Sequence, residues 1–280
     1  MFKILKKNEL SPGVFWYEVE APRVAKKAQP GQFIVLRVDE KGERIPLTIA
    51  DFDRERGIIT LVFQVIGAST MQLAQIPEGG SILDFVGPLG RPSIIEPGMG
   101  TVVMIGGGIG VAPVYPIARG MKMAGNKVIG IMGAKTKDIL IMEDMMRNVC
   151  DEVIVTTDDG SYGIKGFVTN ALEQLTKRGE KISQVTAIGP LVMMRSVVEA
   201  TRADGIKTIV SLNPIMVDGT GMCGCCRVQV GEETKFACVD GPEFDGHAVD
   251  FAGLMSRQRM YRTQEAEAKD HVCRIGLGRD

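Results

Sequence analysis

Thr101-Val102-Val103-Met104-Ile105-Gly106-Gly107-Gly108-Ile109-Gly110-Val111-Ala112-Pro113 is an apolar run that breaks into glycines and then into helix-forming sequence. Extended to Ala118, the run is apolar enough to raise the question of a membrane span. It holds four glycines and two prolines, however, which a lipid-spanning helix tolerates poorly without neighbours. It reads instead as a buried strand, a tight turn and the first turn of a helix. Glycine there lets a backbone approach a pyrophosphate, and the unpaired N–H groups of a helix N-terminus favour an anion. Pro113 suits a first helical turn, where no N–H bond is lost. Taken alone the turn is a weak signal, because a tight strand-to-helix connection needs no ligand.

Downstream, apolar strands alternate with helical stretches: VIGIMGA then ILIMEDMMRNV, VIVTTDD then FVTNALEQLTKRG, VTAIG then PLVMMRSVVEATRADG, and finally TIVSL. That is the βαβ rhythm of a parallel sheet covered by helices, and it predicts a doubly wound α/β domain over residues 98–212. No acidic residue stands about 20 positions past the turn in the usual dinucleotide-binding place. After the third strand come Asp158 and Asp159. Carboxylates there would accept from ribose hydroxyls and repel a 2′-phosphate, favouring NAD(H) over NADP(H). The competing reading is that both shape a turn or cap a helix.

Upstream the pattern is different. FKILKK, VFWYEVEA, FIVLRV, PLTIADF, ITLVFQV and ILDFVG are short runs separated by SPG, QPGQ, DRERG and PEGG. Six strands at this spacing predict a small antiparallel barrel over residues 1–97, closed so that no edge is exposed.

Residues 213–250 are rich in Gly and Cys. Four of the six cysteines, Cys223, Cys225, Cys226 and Cys238, fall within 16 residues. Clustered cysteines without a secretory context suggest metal or redox chemistry rather than disulfides. Plant-type [2Fe–2S] sites use C-x4-C-x2-C and a distant cysteine. Here Cys223 and Cys226 give the x2 spacing, Cys238 follows after eleven intervening residues, and Asp218 stands where the first thiolate belongs. A carboxylate is anionic and ligates iron through oxygen, so Asp218, Cys223, Cys226 and Cys238 make a complete set, with Cys225 beside it. The alternative is a structural zinc site on the four clustered cysteines, which the C-x-C-C run fits poorly. Cys150 and Cys273 read as ordinary buried thiols. Residues 251–280 form a polar tail whose SRQRMYRTQEAEAKD portion suits a solvated helix and a possible docking site for a partner.

Composition narrows the function further. The chain has 280 residues, 45% hydrophobic and 24% charged, with 33 basic against 34 acidic side chains and a formal net charge of −1. Such a balance gives no electrostatic case for binding nucleic acid. The opening MFKILKKNEL is followed by no apolar stretch of secretory length. A cytoplasmic protein without membrane attachment is expected.

The order of Pro30-Gly31-Gln32-Phe33, Arg44-Ile45-Pro46-Leu47-Thr48, Gly67-Ala68-Ser69-Thr70, Gly87-Pro88-Leu89-Gly90 and the later glycine turn resembles the ferredoxin-NADP reductase superfamily. The resemblance implies an FAD-binding Greek-key barrel followed by a nicotinamide domain. It implies that Arg44, Pro46, Leu47, Thr48, Val62, Phe63, Gln64, Ser69 and Thr70 hold FAD. Thr48 matches the hydroxyl near the reactive ring edge, while Arg44 sits one residue ahead of the usual spacing. For NAD(H) it implies Gly106, Gly107, Gly108, Gly110, Val111, Ala112 and Pro113, with Asp158 and Asp159, and later Gly189, Pro190 and Met193. Ile188 stands where relatives carry a cysteine. No catalytic side chain beyond the bound FAD is implied.

With the terminal cluster loop added, the chain resembles the electron-transfer subunits of dihydroorotate dehydrogenases, which carry cysteine at all four ligand positions. Asp218 makes it more similar to the small subunits of electron-bifurcating transhydrogenases that link NADH, ferredoxin and NADP. That resemblance implies a heterodimer with a large flavin and iron–sulfur subunit that binds NADPH, and ferredoxin reached indirectly through the complex. A zinc-stabilised nucleotide-binding regulator is the alternative from another class.

Overall fold

The computed structural model describes residues 1–274. The Cys273 side chain and the end of the polar tail lie outside the described residues. The N-terminal unit comprises β1 (Phe2–Ser11), β2 (Val14–Glu20), α1 (Pro22–Ala25), β3 (Phe33–Arg37), β4 (Ile45–Asp53), β5 (Ile58–Gln64), α2 (Ala68–Gln75), β6 (Ser81–Ile82) and β7 (Asp84–Leu89). These form one antiparallel sheet in the order β6-β1-β2-β5-β4-β3-β7. The sheet has seven strands where the sequence suggests six. The difference lies at Leu83. The expected last strand pairs with β1 through Phe2↔Ile82, breaks at Leu83, then pairs with β3 through Arg37↔Asp84. One stretch of chain therefore bridges both edges and nearly closes the barrel.

Alternation along the strands builds the barrel core. Ile4, Tyr17, Val19, Ile34, Leu36, Ile49, Ile59, Leu61 and Phe63 turn inward and are fully buried or nearly so. Tyr17 meets Phe63 edge-on, with ring centroids 5.0 Å apart. Its hydroxyl donates to the Leu73 carbonyl at 2.9 Å, and the Ile76 carbonyl lies 3.1 Å away. Lys7 Nζ also donates to the Ala74 and Ile76 carbonyls. A cation thus meets the negative end of α2, and the barrel fixes that helix by its C-terminal turn.

The second unit runs β8 (Thr101–Gly107), α3 (Val111–Met123), β9 (Lys127–Ala134), α4 (Glu143–Val149), β10 (Glu152–Thr157), β11 (Ile164–Lys165), α5 (Val168–Lys177), β12 (Ile182–Ile188), α6 (Leu191–Arg202) and β13 (Lys207–Ser211). The strands are parallel in the order β11-β10-β9-β8-β12-β13. Successive residues of β8 serve opposite faces. Val103 and Ile105 pack with α5 and α6, and Val102 and Met104 with α3 and α4. Helix α4 starts later than its apolar pattern suggests, because Met142 just before it adopts a left-handed φ of 60°.

The remaining segment is woven into both units. β14 (Arg227–Val230) and β15 (Glu233–Phe236) form a hairpin. β16 (Glu243–Asp245) joins the edge of the parallel sheet, antiparallel to β13. The polar tail folds as α7 (Phe251–Gln258) and α8 (Arg262–Arg274). Phe251 and Leu254 of α7 enter the core shared by β8, α5 and α6, while α8 is largely exposed apart from Val272. No helix among the described residues is long and apolar enough to cross a membrane.

Tyr17→Phe removes one donor from a buried site: the Leu73 carbonyl loses its side-chain partner, while the Ile76 carbonyl keeps Lys7. The substitution should cost about 1–2 kcal/mol in urea unfolding, with little change in the denaturant slope.

Candidate functional site

Strand β4 carries the expected flavin residues at the junction of the two units. Pro46, Leu47 and Thr48 are half-buried, with Leu47 paired to Ile34 and Thr48 to Phe33 on β3. Arg44 is exposed just ahead of the strand. On β5 the alternation divides the expected residues. Val62 faces the second unit, Gln64 is exposed, and Phe63 points into the barrel core, where it stacks on Phe15 at 5.9 Å. Phe63 therefore offers a ligand only its backbone. At the start of α2, Thr70 Oγ1 accepts from the Ile66 and Gly67 N–H groups at 3.0 and 3.1 Å and donates to the Gly67 carbonyl at 2.9 Å. Thr70 is thus committed to its own turn. Ser69 Oγ, which donates to Glu43 at 3.2 Å, and the first-turn N–H groups remain for an anion. A side chain placed at Gly67 would meet nothing within 4 Å, so open space lies in front of that helix start. These groups fit the pyrophosphate of a flavin dinucleotide.

The glycine turn sits at the switch point of the parallel sheet. From β8 the chain steps to β9 and β10 on one side, and later to β12 and β13 on the other. Ligands of such sheets bind at the carboxyl ends of the strands where the order reverses. Gly110 approaches β12 so closely that a Cβ would stand 2.1 Å from the Ile188 carbonyl oxygen. The two segments expected to hold the nucleotide, Gly106–Pro113 and Gly189–Met193, are thereby brought backbone to backbone, with Met193 lying over Gly107. The two aspartates separate in role. Asp159 accepts from the Ser161 N–H at 2.9 Å and from its hydroxyl at 2.7 Å. These bonds close a turn and hold its carboxyl below the usual carboxylate range. Asp158 is exposed beyond the end of β10 and makes no such turn.

The cysteine-rich loop gathers its donors as two pairs. Cys226 and Cys238 are buried with their sulfurs 3.1 Å apart, and the Cys238 N–H donates to Cys226 at 3.4 Å. Cys223 Sγ donates to Asp218 Oδ1 at 3.2 Å. Asp218 also accepts from the N–H groups of Thr220, Met222 and Cys223 at 3.1 to 3.2 Å and from the Thr220 hydroxyl at 3.0 Å. Burial works against the charge, but hydrogen bonds from Cys223 and Thr220 outweigh it and hold the carboxyl at about 2. The positive φ values of Gly219 (75°) and Gly221 (87°) allow the chain to wrap this tightly. Burial pushes the Cys238 thiol up to about 12, and its hydrogen-bonded neighbour Cys226 adds to the shift. Two thiols this close ionise together only beside a cation. An anionic oxygen and a buried thiol pair suit an iron centre in their chemistry. Cys225 lies beside Cys223, whose thiol pushes it upward, and its carbonyl accepts from Arg257 on α7 at 3.1 Å. Arg257 gave no signal in the sequence, since it stands in a polar stretch 32 residues further on.

The loop rests directly on the barrel. A Cβ at Gly219 would lie 2.7 Å from Leu89 Cδ1 and 3.1 Å from Val35 Cγ2. Phe33, Val35, Cys226, Cys238 and Val228 share one apolar core with β8 and β12. Ser93 Oγ donates to Glu243 Oε1 at 2.5 Å, tying the segment after β7 to β16. Burial pushes the Glu243 carboxyl up, and the bond from Ser93 opposes that.

Comparison with known proteins agrees with this layout. Residues 213–250 match the profile of the iron–sulfur cluster binding domain of dihydroorotate dehydrogenase B. Residues 104–199 match that of the oxidoreductase NAD-binding domain. A Thermotoga maritima protein named as a homologue of the dihydroorotate dehydrogenase B (NAD(+)) electron transfer subunit is 50% identical over 94% of this chain and 92% of its own length. The electron transfer subunit of that enzyme from Fusobacterium nucleatum is 33% identical over 77% of this chain and 84% of its own. A chain of the NADH-dependent reduced ferredoxin-NADP oxidoreductase, solved in a study of flavin-based electron bifurcation, superposes with a TM-score of 0.92 at 48% identity over 98% of both chains. This chain belongs to the family of the dihydroorotate dehydrogenase B electron-transfer subunits, oxidoreductases in which an NAD-binding domain precedes an iron–sulfur cluster-binding domain.

Proposed function

We propose that this chain is the NAD(H)-side electron-transfer subunit of a flavin-based electron-bifurcating NADH-dependent reduced ferredoxin:NADP+ oxidoreductase. The observation that carries the reading is the arrangement around the barrel. The glycine turn packs against β5 on one side, and the Asp218 loop packs on Leu89 and Val35 on another. Bound in such a site, FAD supplies exchange of a hydride as two electrons, and a [2Fe–2S] cluster carries single electrons. The chain's own residues position and insulate. Thr48 presents the flavin face of β4, Leu47 packs into the barrel core and offers its backbone, and Ser69 with the first turn of α2 binds the pyrophosphate. Gly106–Pro113 and Gly189–Met193 hold NAD(H), with Asp158 on the ribose. Asp218, Cys223, Cys226 and Cys238 hold the cluster.

The partner is a large flavin and iron–sulfur subunit that binds NADPH and meets ferredoxin. The solved structure at 48% identity supports this assignment. The names of the relatives favour a second reading, in which the partner is a dihydroorotate-oxidising subunit. Co-purification of the chain from its native host separates the two by the cofactors of the bound partner.

Three outcomes are expected. NADH should be preferred over NADPH, and Asp158→Ser should narrow the ratio of kcat/KM values by about tenfold, the equivalent of 1.4 kcal/mol. Equal efficiency with both nucleotides in the unmodified protein would contradict the role of Asp158. Asp218→Cys should keep its iron and shift the cluster potential, read by redox titration with EPR; a variant without iron would refute the ligand position. Cys226→Ala should lose the cluster while NADH still bleaches the flavin, and electron flow to the partner should stop. Continued flow would rule out the relay.

A further inference from the structure

Strand β4 contains a bulge that the nucleotide and cluster sites do not explain. Its pairing with β5 runs Ile49↔Leu61 and then Asp51↔Thr60, so Ala50 is an extra residue. Strict alternation from the inward-facing Ile49 would send Asp51 into the barrel and Phe52 out. Instead Ile49 and Phe52 belong to the barrel core, and Ala50 packs in the core of the second unit. Asp51 turns outward with Ala50, toward α3. Bulges are a recurrent means of re-aiming a side chain beside a working site.

Arg119 of α3 meets it there. Arg119 Nη1 donates to Asp51 Oδ2 at 3.1 Å and Nη2 to Oδ1 at 2.5 Å, a two-point contact of fixed geometry. The guanidinium lies 5.3 Å from the Tyr115 ring and 6.0 Å from the Phe52 ring. Its side chain is 31% exposed and that of Asp51 22%. The nearby arginines have partners of their own. Arg54 donates to the Ala28 carbonyl at 2.8 Å, and Arg56 lies 3.8 Å from Glu18. Asp51–Arg119 is the ion pair that joins the barrel sheet to the helices of the second unit among the described residues.

Its position along both elements is what matters. Asp51 is three residues from Thr48 on the same strand. Arg119 is about two helical turns from the glycine turn on the same helix. We propose that Asp51 and Arg119 are positioning residues that lock α3 to β4 and so set how the nicotinamide ring meets the flavin. The role rests on the reading above, in which the Thr48 face holds the flavin and the glycine turn holds NAD(H).

The test uses the full chain with flavin bound, as the unmodified protein, Asp51→Asn and Arg119→Lys. Stopped-flow bleaching by NADH gives a limiting rate and a half-saturation concentration. The long-wavelength charge-transfer absorbance reports ring stacking without turnover, and hydrogen exchange reports the α3–β4 seam. Both variants should lower the limiting rate by between about ten- and a hundredfold and weaken the charge-transfer band. Half-saturation should move by less than about twofold, with flavin content and melting temperature retained. Arg119→Lys, which keeps the charge and one contact, should fall between Asp51→Asn and the unmodified protein. Variants with an unaltered limiting rate and band would overturn the proposal. So would variants whose flavin content and melting temperature fall in step with the rate, since the pair would then be a structural tie alone. An unmodified chain that holds flavin but is not bleached by NADH would sink the functional reading before any variant is compared.

Discussion

Gly219 lies where no other residue fits without displacing Leu89 of β7. This close approach, made at a φ of 75° that favours glycine, is the constraint that seats the cysteine loop on the barrel. It presses the loop bearing Asp218 and Cys223 onto β7 and onto β3, which pairs with β4. The apolar core then runs without interruption from Phe33 and Val35, past Cys226 and Cys238, to the centre of the parallel sheet. Close-packed interiors transmit displacement rather than absorb it. The cysteine loop is thus held in register with the barrel by packing, reinforced where Arg91 donates to the Val239 and Gly241 carbonyls.

The segment after β13 is correspondingly hard to treat as an appendage. β16 extends the parallel sheet, Ser93 ties it back to the barrel exit, and α7 returns to support the loop through Arg257. The first two contacts cross between units, and the third ties α7 to the loop within the same segment. The same principle shapes the opposite side of the barrel. There the bulge at Ala50 turns Asp51 out to α3, and Ala50 and Val62 close the apolar seam beneath it. Two faces of one small barrel are thereby fixed to two different partners within the same chain.

The layer order was legible from sequence because periodicity is a local signal. Period two before residue 97 and βα alternation after it predict barrel then parallel sheet. The glycine turn marks the switch point because Gly110 must pass a carbonyl oxygen that any Cβ would strike. The extra barrel strand was not legible, since the break at Leu83 answers two neighbours that the sequence does not name. Nor was the exchange of sides at Asp51, because a bulge is set by the partner strand. The separation of Asp158 from Asp159 was half-legible. Ser161 two residues after Asp159 is an ordinary turn signal, and it singles out the aspartate left free. β16 and Arg257 had no signal at all, each acting through an element more than thirty residues away.

The proposed donor set is asymmetric in a way that follows from its hydrogen bonds. Asp218 is held ionised by the Cys223 thiol, the Thr220 hydroxyl and three backbone N–H groups before any cation arrives. It can enter a coordination sphere without releasing a proton. Cys226 and Cys238 are the reverse case, buried side by side, with burial pushing the Cys238 thiol toward its neutral form. Each must lose a proton to bind metal, so their half of the site is paid for by the metal's own charge. A cysteine in place of Asp218 would need the same backbone groups to point at sulfur, a larger and softer acceptor, and would add one more proton to release. The carboxylate thus leaves the loop anchored by its own turn, while the buried sulfurs supply the part of the site that only a cation completes.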